Sequence, residues 1–309
     1  MSSSYHKNPT VTKRKATILI MICAIFIFLI YIVLFFFSRL DQILYSPIKT
    51  PEEWCEIQPC VELNIFGNKI IIVQPTSTLL VYLLGIITLY IGFHFIRIRD
   101  DQNSRLWWGI ALLLWGLGAL FAGTSYQAFS YEIKCAGRSY CVWTSWWEIV
   151  YLILSVGSIN ALNMAQSYSS TTEKWRRIIS IYSFVNIVLY IIIVLIGAIV
   201  PVQFIVSFEF MLIFYAPNIV IFFILNSWRY YKYRNHLDLV LLIIWISLGI
   251  ITGIYYLYFV LDITRSLWEQ GIWFSENDVL HIGLIVWMIY IRLILTKYVK
   301  DNNRENIKK

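Results

Sequence analysis

Eight separate apolar runs, each about twenty residues long, constrain this chain more than any other feature. A hydrocarbon core of roughly 30 Å takes about 20 residues of helix to cross. Runs of that length are Thr17–Phe37, Thr76–Ile96, Leu106–Ser130, Val142–Ala165, Ile178–Val200, Phe204–Asn226, Leu239–Leu261 and Asn277–Tyr298. Between the fifth and sixth, Pro201-Val202-Gln203 predicts a tight turn, because proline does not extend a helix well. With 59% hydrophobic and 14% charged residues, the composition is far from the roughly 25% charge of a soluble domain. It excludes a nucleic-acid-binding domain, a disordered chain and a small secreted disulfide protein. The expected fold class is an all-α integral membrane protein with eight transmembrane helices, an N-terminal signal anchor plus a seven-helix bundle.

Basic residues give the expected orientation. With the N-terminus inside, 18 of the 25 Lys and Arg residues fall on inner segments and six on outer ones, with Arg292 inside the last span. Lys and Arg accumulate on cytoplasmic loops, so both termini are expected in the cytoplasm, in the cell membrane. This spread also explains the net charge of +7 without a nucleic-acid partner; the partners it implies are the bilayer, a small ligand or ion, and a protein for signalling or assembly. The first run follows Lys13-Arg14-Lys15. It is longer than a signal-peptide core and lacks a small-residue cleavage site, so it reads as an uncleaved anchor. The expected organisation is residues 1–37 as cytoplasmic N-terminus and anchor, 38–75 as an outer disulfide-bonded cap with a hairpin around Phe66-Gly67-Asn68-Lys69, 76–298 as the bundle, and 299–309 as a cytoplasmic tail.

Four of the five cysteines lie on outer segments: Cys55, Cys60, Cys135 and Cys141. Two disulfides are the expectation in an oxidising compartment, with three connectivities open. A metal site from the C-x4-C and C-x5-C pairs is the lesser alternative, because outer thiols normally oxidise.

Ionisable groups inside spans are costly, by roughly 2.5–3.5 kcal/mol at a helix centre, and so serve as candidate functional residues. At 1.5 Å per residue, Glu148 lies about 9 Å inside the outer end of its span and Glu209 about 7 Å, with Asp278 and His281 within roughly 6 Å of theirs. Asp278 and His281 share one helix face at i, i+3, as do Glu148 and Tyr151. Together with Ser125 they suggest an outward-facing acidic chamber; each also fits a head-group position where the side chain snorkels to water. Trp143, Trp146, Trp147, Tyr126 and Tyr131 fit an interfacial belt, or a cage for a cation. Towards the inner side Asn160, Asn163, Gln166, Asn186 and Asn218 read as interhelical glue. Pro217 should kink its helix, with Asn218 filling a freed carbonyl. Gly249-Ile250-Ile251-Thr252-Gly253 predicts close packing within the bundle, or dimerisation.

No Walker A, nucleophile elbow, H-E-x-x-H or dinucleotide fingerprint is present, and no catalytic residue is assigned. His94 and His281 lie at opposite ends of their spans, so a bis-His haem is not expected. A single metal ion held by His281, Asp278 and Glu148 is chemically allowed.

Two resemblances follow from these residues. After the anchor, the seven helices resemble microbial rhodopsins in order and orientation, with Glu148 and Asp278 on the third and seventh helices and Asp278-Val279 similar to the start of their D-V-x-x-K run. The lysine position is Ile282 here, so neither a Schiff base nor retinal is implied. Ser125 or Ser130, Glu148 and His281 also fall on helices comparable with those of the alkaline ceramidase and adiponectin-receptor superfamily. That resemblance implies a zinc hydrolase, but a second-helix histidine is missing and Ile285 stands one turn after His281.

The sequence thus leads to a receptor-like sensor or transporter of a small ligand, a cation or protons included, with Glu148, Glu209, Asp278, His281, Tyr151 and Ser125 as binding residues. The alternatives are a metal-dependent lipid hydrolase at the outer leaflet and a structural or assembly subunit of a membrane complex.

Overall fold

The computed structural model describes residues 31, 35–65 and 67–302. Apart from its last few positions, the expected anchor Thr17–Phe37 lies outside the described residues. Seven helices in the rest are long and apolar enough to cross a membrane: α2 (Pro75–Arg97), α3 (Asn103–Ala128), α5 (Trp146–Ser170), α6 (Glu173–Ile199), α7 (Phe208–Tyr233), α8 (His236–Val260) and α10 (Glu276–Tyr298). The protein is a multi-pass helical membrane protein. Its short helices are α1 (Pro51–Trp54), α4 (Ser130–Lys134) and α9 (Ile263–Glu269). Below, the end of the bundle carrying the disulfides is called outer and the end carrying the last residues inner.

Most spans begin or end a few residues beyond their apolar runs, because backbone hydrogen bonding continues into the polar interface after the hydropathy has fallen. The α5 helix starts at Trp146 where Val142 was expected. Val142 and Trp143 are apolar but extended: Val142 forms an antiparallel bridge with Leu44, and the Trp143 amide donates to the Ile43 carbonyl at 2.8 Å. The chain between α6 and α7 turns as expected, with the Val202 amide on the Gly197 carbonyl at 2.8 Å.

The α5 helix forms the centre of the bundle, 67% buried over its most apolar stretch against 17% for α7. It packs on α3, α6 and α7, while α3 packs closely on α2. The α2–α3 contact is a glycine seam. A Cβ on Gly109 would sit 2.9 Å from the Gly92 carbonyl oxygen, and one on Gly116 would sit 3.0 Å from that of Gly85. Seven-residue spacing on both helices aligns these pairs, so the backbones approach as only small residues permit. The predicted Gly249/Gly253 packing is not found among the described residues, where Cβ atoms at these positions would meet nothing within 4 Å. The central core includes the Phe222–Trp245 stack and the Trp115–Trp287 edge contact, with Trp287 Nε1 donating to the Ile244 carbonyl at 2.8 Å.

The expected amide glue joins α5 to its neighbours. Asn163 pairs with Asn218, Asn186 Nδ2 donates to Asn160 Oδ1 at 3.2 Å, and Gln166 Nε2 donates to Asn226 Oδ1 at 2.6 Å. The helix α7 continues through Pro217. Asn218 donates to the Phe214 and Tyr215 carbonyls, not to that of Ile213, which Pro217 deprives of its usual donor. At the inner end Arg229 Nε pairs with Asp238 Oδ1 at 2.9 Å, and Arg229 also donates to the Ser170 carbonyl. The Asp301 carboxylate accepts from the Asn103 and Ser104 amides at 2.9 and 2.7 Å, capping α3 from the far end of the sequence.

At the outer end the two cysteine-bearing loops form one cap. Strands β1 (Cys60–Ile65) and β2 (Asn68–Val73) pair antiparallel with Cys60 opposite Val73, and Gly67 takes the turn at φ +83°. Near-neighbour pairing holds for both disulfides, Cys55–Cys60 and Cys135–Cys141. Trp54, Val73, Cys135 and Cys141 share a small core. The Ile71 amide donates to Glu132 at 3.1 Å, and Arg138 pairs with Asp41 at 3.1 Å.

Candidate functional site

The residues singled out in the sequence occupy three settings at the outer end. The first surrounds Glu148. The last turn of α3 is π-wound, with the Phe129 amide reaching back five residues to the Thr124 carbonyl at 3.0 Å. Such wide turns recur at functional sites. This one buries Ser125, Gln127 and Ala128. The chain then doubles into α4, from which Lys134 points inward. Lys134 and Glu148 are each only 2% exposed and form an ion pair at 2.6 Å. Lys134 Nζ also donates to the Trp143 carbonyl at 3.1 Å and to the Tyr45 hydroxyl at 3.4 Å, so all three ammonium protons have acceptors. The Tyr126 ring lies 4.9 Å from the same nitrogen, a cation–π contact.

Ser125 Oγ donates to Glu148 Oε1 at 2.6 Å and lies 2.9 Å from Ser145 Oγ. Ser145 is the N-cap of α5 and Glu148 its N3 residue, the spacing of a capping box. Ser145 makes no side-chain cap here; both residues turn instead to Ser125 and Lys134. Tyr151, one turn further, meets Tyr126 edge-on at 6.0 Å. Burial alone would pull the Lys134 ammonium down, but Glu148 and then Tyr45 outweigh it and hold it above its ordinary value. Burial pushes the Tyr45 hydroxyl up, against the opposing pull of Lys134.

The second setting is the start of α10. Ser275 and Asp278 make a reciprocal capping box, with Ser275 Oγ donating to Asp278 Oδ2 at 2.9 Å. Ser275 Oγ also lies 3.0 Å from Ser77 Oγ of α2, and Thr76 donates to the Trp273 carbonyl. Asp278 is fully buried, and its other oxygen, Oδ1, has no hydrogen-bond partner among the described residues. His281, 7% exposed and one turn on, has an Nδ1 with no hydrogen-bond partner among the described residues. Gln127 Oε1 and Ser130 Oγ are buried and unpartnered at the same end of the bundle.

Glu209 is the third setting. It stands exposed in the first turn of α7, where a carboxylate suits the positive end of the helix dipole. The three carboxylates therefore do not form one acidic layer: Glu148 is neutralised by Lys134, Asp278 caps its own helix, and Glu209 faces outward. Nor do Glu148, Asp278 and His281 come together as metal ligands; among the described residues no group of three or more His, Cys, Asp or Glu is placed to hold an ion.

Lys134, the partner of Glu148, is the residue of this setting that the sequence does not single out; it is one of the six bases on outer segments. The available signal was Glu148 itself, since a carboxylate buried in a span needs a counter-charge, and Lys134 adjoins Cys135, whose disulfide to Cys141 closes the loop that leads into α5.

No curated protein and no solved structure matches the chain. A model described as a family of unknown function, DUF6962, matches residues 76–297, which cover the whole seven-helix bundle, and the chain belongs to that family.

Proposed function

We propose that this membrane protein is a receptor-like sensor or transporter that takes a small hydrogen-bond-donating ligand, cations and protons included, at the outer end of its bundle. The observation that carries the reading is on one face of α10: a carboxylate oxygen of Asp278 and a ring nitrogen of His281, both buried and neither with a hydrogen-bond partner among the described residues. Away from water each unsatisfied polar group costs several kcal/mol. Two such groups within one helical turn favour water or a ligand beside them. Gln127 Oε1 adds a buried acceptor at the same end. The Lys134–Glu148 pair contributes no net charge, so selectivity for a cation rests on Asp278.

The test is a thermal-shift screen of detergent-purified full-length protein against small ammonium compounds and inorganic cations, repeated on Asp278→Asn and His281→Gln. The expected result is a cation that raises the melting temperature of the wild type and has no effect on either variant. If no probe stabilises the wild type, or the variants respond like it, the reading is overturned. His281→Gln leaves the Ser275–Asp278 cap in place, so a folding defect in Asp278→Asn does not decide the outcome.

A further inference from the structure

A groove lies at the opposite end of the bundle from the outer polar residues discussed above. At the inner end α6 packs on α5, and α7 packs on α5 and α8, leaving the interval between α6 and α7 unfilled. The groove, of about 860 Å³, occupies it. Its walls are apolar, built from Ile178, Ile221, Ile224, Leu225 and Trp228 among others, and its floor is polar, with Ser170, Thr171, Arg229 and Asn302. A second hollow of about 570 Å³ adjoins it through Ile178 and is bordered by Glu173, Lys174 and Arg177.

We propose that this groove holds one acidic phospholipid from the leaflet at the inner end, with its phosphate at the head of α6 beside Ser170 and an acyl chain along Ile178, Ile221 and Leu225. Three independent features meet there. Ser170 is 3% exposed, lines the groove, and its hydroxyl has no hydrogen-bond partner among the described residues. The N-cap of α6, Thr172, also lines the groove and makes no side-chain cap, so the first amides of a 27-residue helix are free to receive an anion. Among the described residues around the mouth the bases outnumber the acids: Lys174, Arg177 and Lys232 are exposed, with Lys232 Nζ 5.2 Å from the Trp228 ring, against Glu173. Arg229 on the floor is already paired with Asp238, so it supplies hydrogen-bonding surface without net charge.

The occupant follows from the two halves of the site. An apolar groove at the depth of the hydrocarbon fills with acyl chain, because a void forfeits the contacts of its lining. A basic rim at the interface favours an anionic head group, by about 1 kcal/mol per Lys or Arg near the surface. A soluble anion would satisfy only the second half.

Native mass spectrometry of the full-length protein in detergent, titrated with phosphatidylglycerol, phosphatidylcholine or inorganic phosphate, tests this. The expected result is one retained phosphatidylglycerol, favoured about ten-fold over phosphatidylcholine. Lys174→Glu with Arg177→Glu should abolish the preference, and Leu225→Trp, which fills the groove, should reduce retention of both lipids. Ser170→Ala, the mildest change, should weaken phosphatidylglycerol retention without altering the lipid-free melting temperature. Equal retention of the two lipids by the wild type, unchanged retention in the variants, or displacement of phosphatidylglycerol by inorganic phosphate would each overturn the proposal. So would a cross-link between a cysteine placed in the 17–37 run and one at position 224, which would assign the groove to the chain's own first apolar segment.

Discussion

Among the described residues each end of the bundle carries a buried ion pair, and the two are built differently. At the inner end Arg229 and Asp238 lie nine residues apart, on either side of the α7–α8 turn, and Arg229 also borders the open groove. At the outer end Lys134 reaches Glu148 from a separate loop, contacts Tyr45, Tyr126 and the Trp143 carbonyl, and is buried. The surroundings differ as well. Among the described residues, Gln166 Oε1 and Ser170 Oγ are buried without hydrogen-bond partners at the inner end, and Gln127 Oε1, Ser130 Oγ, Asp278 Oδ1 and His281 Nδ1 at the outer end. The inner pair closes a turn; the outer pair ties the cap to the centre of the bundle, next to the groups proposed to meet a ligand.

The largest expected effect is at the outer pair. Lys134→Met strands Glu148 in a dry site and should lower stability by about 3–5 kcal/mol, while Lys134→Met with Glu148→Met should recover most of that loss. Thermal or steric-trap unfolding in detergent measures both; a double variant as unstable as the single would mean that the pair's hydrogen bonds, not its charge balance, hold the cap. Asp238→Asn at the inner pair should cost less, about 1–3 kcal/mol, because the guanidinium keeps the Ser170 carbonyl and can turn towards the groove. An inner loss as large as the outer one would break the comparison.

How much of this was legible differs by element. The spans were, because hydropathy reports directly on the solvent a helix must cross, and the cap hairpin was, because Gly67 marks its turn. The start of α5 was not: Val142 and Trp143 are as apolar as a helix interior, and only their pairing with Ile43 and Leu44 makes them extended. Asp278 was found by depth but given the wrong company, although Ser275-x-x-Asp278 spells its cap. The small-residue pattern also misled. Gly249 and Gly253 satisfy the motif yet meet no neighbour among the described residues, while the seam that packs uses Gly85 and Gly92 against Gly109 and Gly116. Spacing says that a helix face is smooth; it does not say which helix will cover it.

Alkaline titration separates the two pairs further. The folded-state values of Lys134 and Tyr45 are raised above 10.5 and 10.0 respectively. A raised folded value means that the native state holds the proton more tightly, so this stability is complete below the unfolded value and is lost as pH rises through the folded one. Melting temperature should therefore fall above about pH 10, and Lys134→Met should flatten that fall. Asp238→Asn should leave the slope unchanged. A slope that Lys134→Met does not alter would place the alkaline transition elsewhere.

The smallest effect probes how the inner end is closed. The first residues of α3 receive no cap from Gln102, the residue in the N-cap position, and depend on Asp301, almost two hundred residues later. Asp301 in turn has its own amide on Gln102 Oε1 at 2.6 Å, and Asn302 reaches the Thr171 carbonyl at 3.2 Å, so the tail fastens the α2–α3 turn to the α5–α6 turn. Loss of a capping carboxylate costs about 0.5–2 kcal/mol. Asp301→Ala should therefore shift the melting temperature only slightly, while hydrogen exchange at the Asn103 and Ser104 amides should accelerate sharply and the amides of the outer cap should keep their protection. Acceleration at both ends would show that the tail and the cap unfold as one unit, and the division between a locally latched inner end and a separately tied outer end would have to be given up.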